Sequence, residues 1–477
     1  MASKIKQEDK DQKVKYPNKT LQIVTDPDIL AAYNEDALGI QGNFEGVFRP
    51  SDEKDILAFV EECGAQSKPI TAQGLRSSLT GASICDEGFA LSLEKMQRII
   101  NIDGKMRLAV VEPGVITADL RKAAAEAGLF YPPDPTSAEE CTIGGNVATN
   151  ASGSCTLKYG GTRDWVRRLR IVDGRGKRID AIGKKVDKHC AGYAALNRPA
   201  DLFVGSEGTL GIITEIEVSL TTLPTDSFIV MVFFTNLQSA LSFILEARDD
   251  HAFSPRSIEF LDEICLEIIR PNAEGICIPA EAQVMVFFEE EIEDDRKKEQ
   301  SLGRWSKLID KHTRLSDDTQ IAFTAGQKGR LLGLRHLVPQ TMNEKSTRAV
   351  KDGGCKISTD WAVPYYKLPE LFAYYDTVKC LLGDMTVIRF GHIGEGHPHF
   401  NFIARNTEEM RIAEGVDLLM AKKAVELGGT IAGEHGIGKM KREHLALEYP
   451  EAVIEAMRAI KRAFDPRGIM APGNILI

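Results

Sequence analysis

The sequence predicts an α+β protein of more than one domain, and three observations predict it. At 477 residues the chain is too long for a single compact core. From about residue 40 to 224, short β-rich runs alternate with glycine and proline punctuation and with intervening helices. From about 225 to 405, strands alternate with helices in an α+β pattern.

Each element follows from its residues. Residues 1 to about 20 are polar and read as a frayed start. Residues 108–112, 169–172 and 211–219 read as strands, with a helix near 119–127 between them. Residues 222–226, Thr-Leu-Pro-Thr-Asp, read as a linker. Beyond it, strands at 228–234 and 283–288 alternate with helices at 237–249 and around 364–382. Residues 386–392 and 399–403 read as two strands joined by a turn at Gly394-Glu-Gly396, which brings His392 opposite His399. Asn406 with Glu409 marks a helix start, and the apolar positions Met410, Ala413, Leu418 and Val425 carry that helix to Gly428-Gly429. Residues 430–432 are strand-like. A last helix, about 450–463, ends at Asp465-Pro466.

Composition excludes several classes of function. A net charge of −10 opposes nucleic-acid binding, which needs a basic face. The N-terminal lysines alternate with Glu8, Asp9 and Asp11, unlike a signal or transit peptide. No apolar run is long enough to span a bilayer, so a cytoplasmic protein is expected. The nine cysteines form no C-x-x-C pair. They are expected to be buried free thiols, holding neither a disulfide framework nor an iron–sulfur cluster.

Three glycine- and hydroxyl-rich blocks stand out. The first runs from Thr71 to Ser83, and successive amides in such a loop can face one anion. The second comprises 131–136, 142–153 and Tyr159-Gly160, with glycines for close backbone approach and prolines for rigidity. The third, 204–214, runs straight into a strand. None is a Rossmann or P-loop motif, so nicotinamide and ATP are poorly supported.

Farther on, His392-Ile-Gly-Glu-Gly-His-Pro-His-Phe-Asn401 and Gly433-Glu-His-Gly-Ile-Gly438 gather four of the nine histidines. His392, His399 and Glu434 make two imidazoles and a carboxylate, leaving coordination positions open as a catalytic divalent site requires. Alternation places His399 and Asn401 on one strand face. His397 is either an extra ligand or a neighbour on the other face.

The three blocks, in this order and spacing, resemble the PCMH-type FAD-binding domain of the vanillyl-alcohol oxidase flavoproteins. The C-terminal half resembles the FAD-linked oxidase C-terminal domain, a ferredoxin-like α+β substrate domain. The closest group resembled is the D-lactate, glycolate and D-2-hydroxyglutarate dehydrogenases. The resemblance implies an extension over 1–39, an FAD domain over 40–224, a substrate or cap domain over 225–420 and a segment over 421–477 that returns to the FAD domain. By resemblance, Gly74, Leu75, Arg76, Ser77, Ser78 and Leu79 wrap the pyrophosphate. Pro135, Thr136, Thr142, Gly145, Asn150, Ser152, Gly153, Gly208 and Ile213 lie along the flavin and adenosine. Arg76 departs from the family, which usually has a small residue there. The first loop has no histidine or cysteine to link the flavin, so FAD is expected to be non-covalent.

The resemblance also places His392, His399 and Glu434 as ligands of a divalent metal, which by its mixed N/O donors is zinc, or alternatively manganese or iron. It makes His435 the base and Asn401 a substrate contact. Arg335 matches an arginine that grips the substrate carboxylate, and Lys356 lies near a substrate lysine position. A surface ion pair is the competing reading for both. The family commonly has Asp, Asn and Leu where Glu395, His397 and Pro398 stand. The implied activity is oxidation of a D-2-hydroxy acid to a 2-oxo acid by hydride transfer to FAD. Electrons then pass to an electron-transfer flavoprotein, an iron–sulfur subunit, a quinone or a cytochrome. The alternatives are a non-redox flavoenzyme like alkyl-dihydroxyacetonephosphate synthase and a flavin-holding electron-transfer subunit.

Overall fold

A computed structural model of the chain describes residues 12–16, 19–184, 186, 188–273, 275–350 and 353–476. The chain forms two compact units. The first takes in residues up to 152, then 161–223 and 434–477; the second takes in 153–160 and 224–433. Helix Thr407–Glu426 is one unbroken element that buries Ala413, Val416, Met420 and Ala424. A boundary near 420 would cut it, and the return to the first unit begins at Glu434.

The first unit holds two five-stranded sheets. One has the order Gln12–Tyr16, Lys19–Val24, Gly46–Phe48, Phe89–Ser92, Ile70–Gln73, with parallel pairing among the last three. Part of the polar start expected to fray is therefore a paired strand; residues 1–11, 17 and 18 lie outside the described residues. Helix Glu53–Gln66 buries Ile56, Phe59, Val60 and Cys63 in that sheet's core. The other sheet is antiparallel, in the order Arg178–Ile182, Val166–Val172, Ile212–Ser219, Leu108–Val111, Ile99–Asp103. Its core also receives Ile460 and Phe464 from helix Glu451–Phe464. That helix starts after Pro450 and stops before Asp465, as the proline positions predict.

The second unit is a seven-stranded antiparallel sheet with helices on both faces. Its order is Gln320–Ala322, Asp226–Phe234, Val284–Ile292, Pro255–Leu261, Thr386–His392, His397–Ala404, Cys355–Ser358. Strand Asp226–Phe234 is buried from Ser227 onward because both of its faces are covered. Residues directly opposite in register share a face. Ile229, Met231, Phe233, Leu261, Met285, Phe287, Ile388 and Ile403 accordingly pack with Leu334, Val338 and Met342 of helix Ala325–Val350. Helix Leu237–Asp249 is capped by Asn236, and helix Thr407–Glu426 by Asn406, whose side chain accepts the Glu409 N–H at 3.0 Å.

Several expectations need correction. The run around 364–382 becomes α-helical only at Leu368, because Pro364 and Pro369 stand at its start. Residues 430–432 form no strand; Thr430 makes a single bridge to Ala362. Five cysteines are buried, but Cys190, Cys277 and Cys380 are exposed, and no disulfide joins any of the nine. Among the described residues no helix is long and apolar enough to cross a membrane.

Candidate functional site

The polar residues of the second unit gather at one end of an otherwise apolar sheet face. The hairpin closes through the 3₁₀ turn Ile393–Glu395 and Gly396, whose φ of 77° suits glycine. This turn pairs His392 with His397 and Phe390 with His399. The expected pairing of His392 with His399 is therefore displaced by one step along the face. By register, Glu259, His392, His397, His399 and Asn401 point the same way, and so do Ser358 and Lys356 on the neighbouring strand. That removes the reading of His397 as an opposite-face neighbour. Its ring centroid lies 4.5 Å from that of His399 and 6.0 Å from that of His392.

Hydrogen bonds orient two of the three imidazoles. His392 Nδ1 donates to Glu259 Oε1 at 2.6 Å, and His399 Nδ1 donates to the Thr359 carbonyl at 3.3 Å. With Nδ1 engaged, metal ligation by either ring would fall to Nε2. Glu259 is fully buried, which alone would raise its carboxyl. Arg335, 3.3 Å away, and His392 outweigh that and hold it down at about 2. Arg335, expected at the substrate carboxylate, is thus engaged with a buried acid of its own unit.

Glu434 follows Gly433, whose N–H donates to the Asp360 carbonyl at 2.6 Å. Ligand atoms of His392, His399 and Glu434 all lie within 4.8 Å of one another. Two imidazoles and a carboxylate, all poorly exposed, fit a divalent cation with open positions. His397 is not among them. Asn401 Oδ1 is buried without a protein partner, as suits a substrate contact. Burial lowers the Lys356 pKa. His435 Nε2 lies 3.4 Å from Glu434 Oε1.

In the first unit, the predicted flavin blocks meet. A Cβ on Gly74 would fall 2.5 Å from Thr142 Oγ1, and that hydroxyl also accepts the Gly145 N–H at 3.1 Å. Gln73 pins the first loop by donating to the carbonyls of Ser83 at 2.7 Å and Tyr33 at 3.0 Å. Thr71 Oγ1, Ser83 Oγ and Tyr131 OH are buried without protein partners, which fits a polar cofactor in these blocks. Ser77, Ser78 and Leu79 continue the loop, and Leu75 precedes Arg76, whose φ of 61° is left-handed where the family's small residue would be at ease. The Arg76 guanidinium lies over the Tyr33 ring at 4.9 Å. Asn150 ends helix Ile143–Thr149 in a left-handed conformation, and its side chain accepts the Arg163 N–H at 3.0 Å. Pro135 and Thr136 occupy a turn in which Pro135 accepts from Ala138 N–H. Gly208 has a φ of 75°, and Ile213 is buried in strand Ile212–Ser219. Ser152 is in the first unit and Gly153 in the second.

Sequence reasoning missed Glu259, Asp360 and Glu207. An acid between Ile258 and Phe260 in a core strand is a signal in itself. Glu207 lies within the third glycine-rich block, but its role depends on residues 230 positions away: its carboxylate accepts Ile437 N–H at 2.6 Å and Gly438 N–H at 2.7 Å.

Residues 44–181 match the model of an FAD binding domain, and residues 223–475 match that of FAD linked oxidases, C-terminal domain. The chain is 35% identical over 442 residues to "Glycolate oxidase subunit GlcD" of Bacillus subtilis (strain 168), covering 90% of this chain and 88% of the relative. It is 30% identical over 473 residues to "D-lactate dehydrogenase" of Anaerostipes hadrus, covering 95% of this chain and 94% of the relative. A structure of alkyldihydroxyacetonephosphate synthase shares the fold, with a TM-score of 0.68 at 17% identity over 91% of this chain and 77% of that one. With its C-terminal model spanning more than half its length and a relative 35% identical over 90% of it, the chain belongs to the FAD-linked oxidases.

Proposed function

We propose that the chain is an FAD-dependent D-2-hydroxy-acid dehydrogenase, a class in which the relatives' names, glycolate oxidase subunit and D-lactate dehydrogenase, also fall. The observation that carries this reading is the triad of His392, His399 and Glu434, with both imidazole Nδ1 atoms already engaged. These three residues would hold a divalent cation, zinc, manganese or iron by donor chemistry. When bound, the cation supplies a Lewis acid for the 2-hydroxyl, and non-covalent FAD supplies the acceptor for the C2 hydride.

The chain's own residues do the rest. Asn401 presents its unpartnered Oδ1 to the substrate, and Lys356 on the same sheet face offers a cation for its carboxylate. Arg335 adds positive charge from behind Glu259. His435 takes the hydroxyl proton, and Glu434 at 3.4 Å gives the resulting imidazolium a carboxylate neighbour. Product is a 2-oxo acid. With no C-x-x-C cysteine pair for a cluster, a separate acceptor empties the reduced flavin: an electron-transfer flavoprotein, an iron–sulfur subunit, a quinone or a cytochrome. The carboxylate at position 434 favours this reading over a synthase-like one, since a shared fold does not decide chemistry.

The test is anaerobic flavin bleaching by D-lactate, glycolate or D-2-hydroxyglutarate, before and after chelation. Bleaching that chelation abolishes is expected. Absence of bleaching with every 2-hydroxy acid would overturn the proposal; bleaching that survives verified metal removal would overturn only the metal's part in it.

A further inference from the structure

Three buried imidazoles share one sheet face, yet only His392 and His399 join Glu434 as a cluster of ligand atoms. We infer that His397 is a positioning residue: it seats Gly433, and through it the Glu434 carboxylate, against the two ligand imidazoles. This rests on the metal-binding reading of those three residues given above.

The seat is defined by contacts within the second unit. A Cβ on Gly433 would fall 2.6 Å from His397 Nε2, 2.7 Å from Cε1 and 2.9 Å from Cδ2, so the glycine backbone lies directly on the ring. No side chain fits between them without moving the imidazole. On its other side, the segment leading to Glu434 is stitched to 360–362 by three backbone hydrogen bonds. Ala362 N–H donates to Thr430 O at 3.1 Å, Thr430 N–H to Ala362 O at 2.9 Å, and Gly433 N–H to Asp360 O at 2.6 Å. His397 Nε2 lies 3.3 Å from Asp360 Oδ1, close enough for attraction but without the alignment of a hydrogen bond. The ring is thus held between Asp360 and Gly433, with Nε2 turned to that pair. Gly433 is the last residue before Glu434, so any shift of the ring is passed to the carboxylate through one peptide unit.

The experiment uses the FAD-loaded full chain and the variants His397→Ala and Gly433→Ala. Zn²⁺ affinity is read by competition with a chromogenic chelator, Co²⁺ ligation by visible absorption, and folding by FAD content. His397→Ala is expected to weaken Zn²⁺ binding about tenfold or more, the usual effect of losing a residue that supports a ligand. Its Co²⁺ spectrum at saturation should match that of the wild type, and FAD should be retained. Gly433→Ala, which forces a Cβ into the ring, should lose as much. Wild-type Zn²⁺ affinity in either FAD-loaded variant overturns the proposal. So does a saturated Co²⁺ spectrum of His397→Ala that lacks one nitrogen ligand, since His397 would then be a ligand itself. Should His397→Ala lose FAD, Gly433→Ala decides by the same affinity criterion. A wild type that binds neither ion removes the underlying reading along with the proposal.

Discussion

Glu259 Oε1 and His392 Nδ1 are 2.6 Å apart, and on the far side Arg335 closes on Glu259 Oε2 at 3.3 Å. A buried carboxylate between a cation and an imidazole fixes the ring's tautomer and raises its basicity as a ligand. Glu259→Gln can still accept the Nδ1 proton but no longer offsets Arg335. Its affinity for Zn²⁺ is expected to fall on the order of tenfold with FAD content unchanged, as measured by chelator competition.

Glu434→Gln removes one of the three donors that lie within 4.8 Å of one another. Metal content measured by elemental analysis should drop while flavin absorbance per chain stays constant. Unchanged metal content would sink the assignment of Glu434 as a ligand, whereas equal loss of metal and flavin would point to misfolding instead.

Gly74→Ala should show the opposite pattern. Its Cβ would sit 2.5 Å from Thr142 Oγ1, the hydroxyl that caps helix Ile143–Thr149. One loop must give way, so FAD content after gel filtration should fall while Zn²⁺ affinity holds.

Burial pushes the Glu207 carboxyl up from 4.5 to about 7, against the two amides of Ile437 and Gly438 that favour its charged form. Between those values the folded chain holds a proton that the unfolded chain has released. Stability from this group is therefore greatest below pH 4.5 and is lost as pH rises through about 7, by roughly 3 kcal/mol in total. Glu207→Gln, which cannot titrate, should flatten that part of the melting temperature's pH dependence. It also loses one acceptor for the Ile437–Gly438 amides just after His435. The rate of flavin reduction by whichever of D-lactate, glycolate or D-2-hydroxyglutarate bleaches the wild type should fall with FAD content unchanged. An unaltered pH dependence would refute the titration of Glu207.

Much of the fold was legible because local rules dominate there. The Asn406 cap with Glu409, the helix Leu237–Asp249 and the strand Ile212–Ser219 rest on spacing and capping within a few residues. The hairpin was legible as two strands and a turn, but not its register: two residues of loop length decided that His397, and not His399, faces His392.

The sequence by itself determined which residues have the chemistry: two flanking imidazoles, a carboxylate after a glycine, and glycine-rich loops ordered as FAD-linked oxidases order them. Only the tertiary structure decided which of those groups are tied to others. Glu259 was brought to His392 across 133 positions, Glu207 to Ile437 across 230, and Arg335 to a buried acid. Such pairings arise from packing between distant segments, which leaves no periodicity in the chain. His397 illustrates the difference: its residue type suggested a ligand, while its contacts with Gly433 and Asp360 set it to holding one in place.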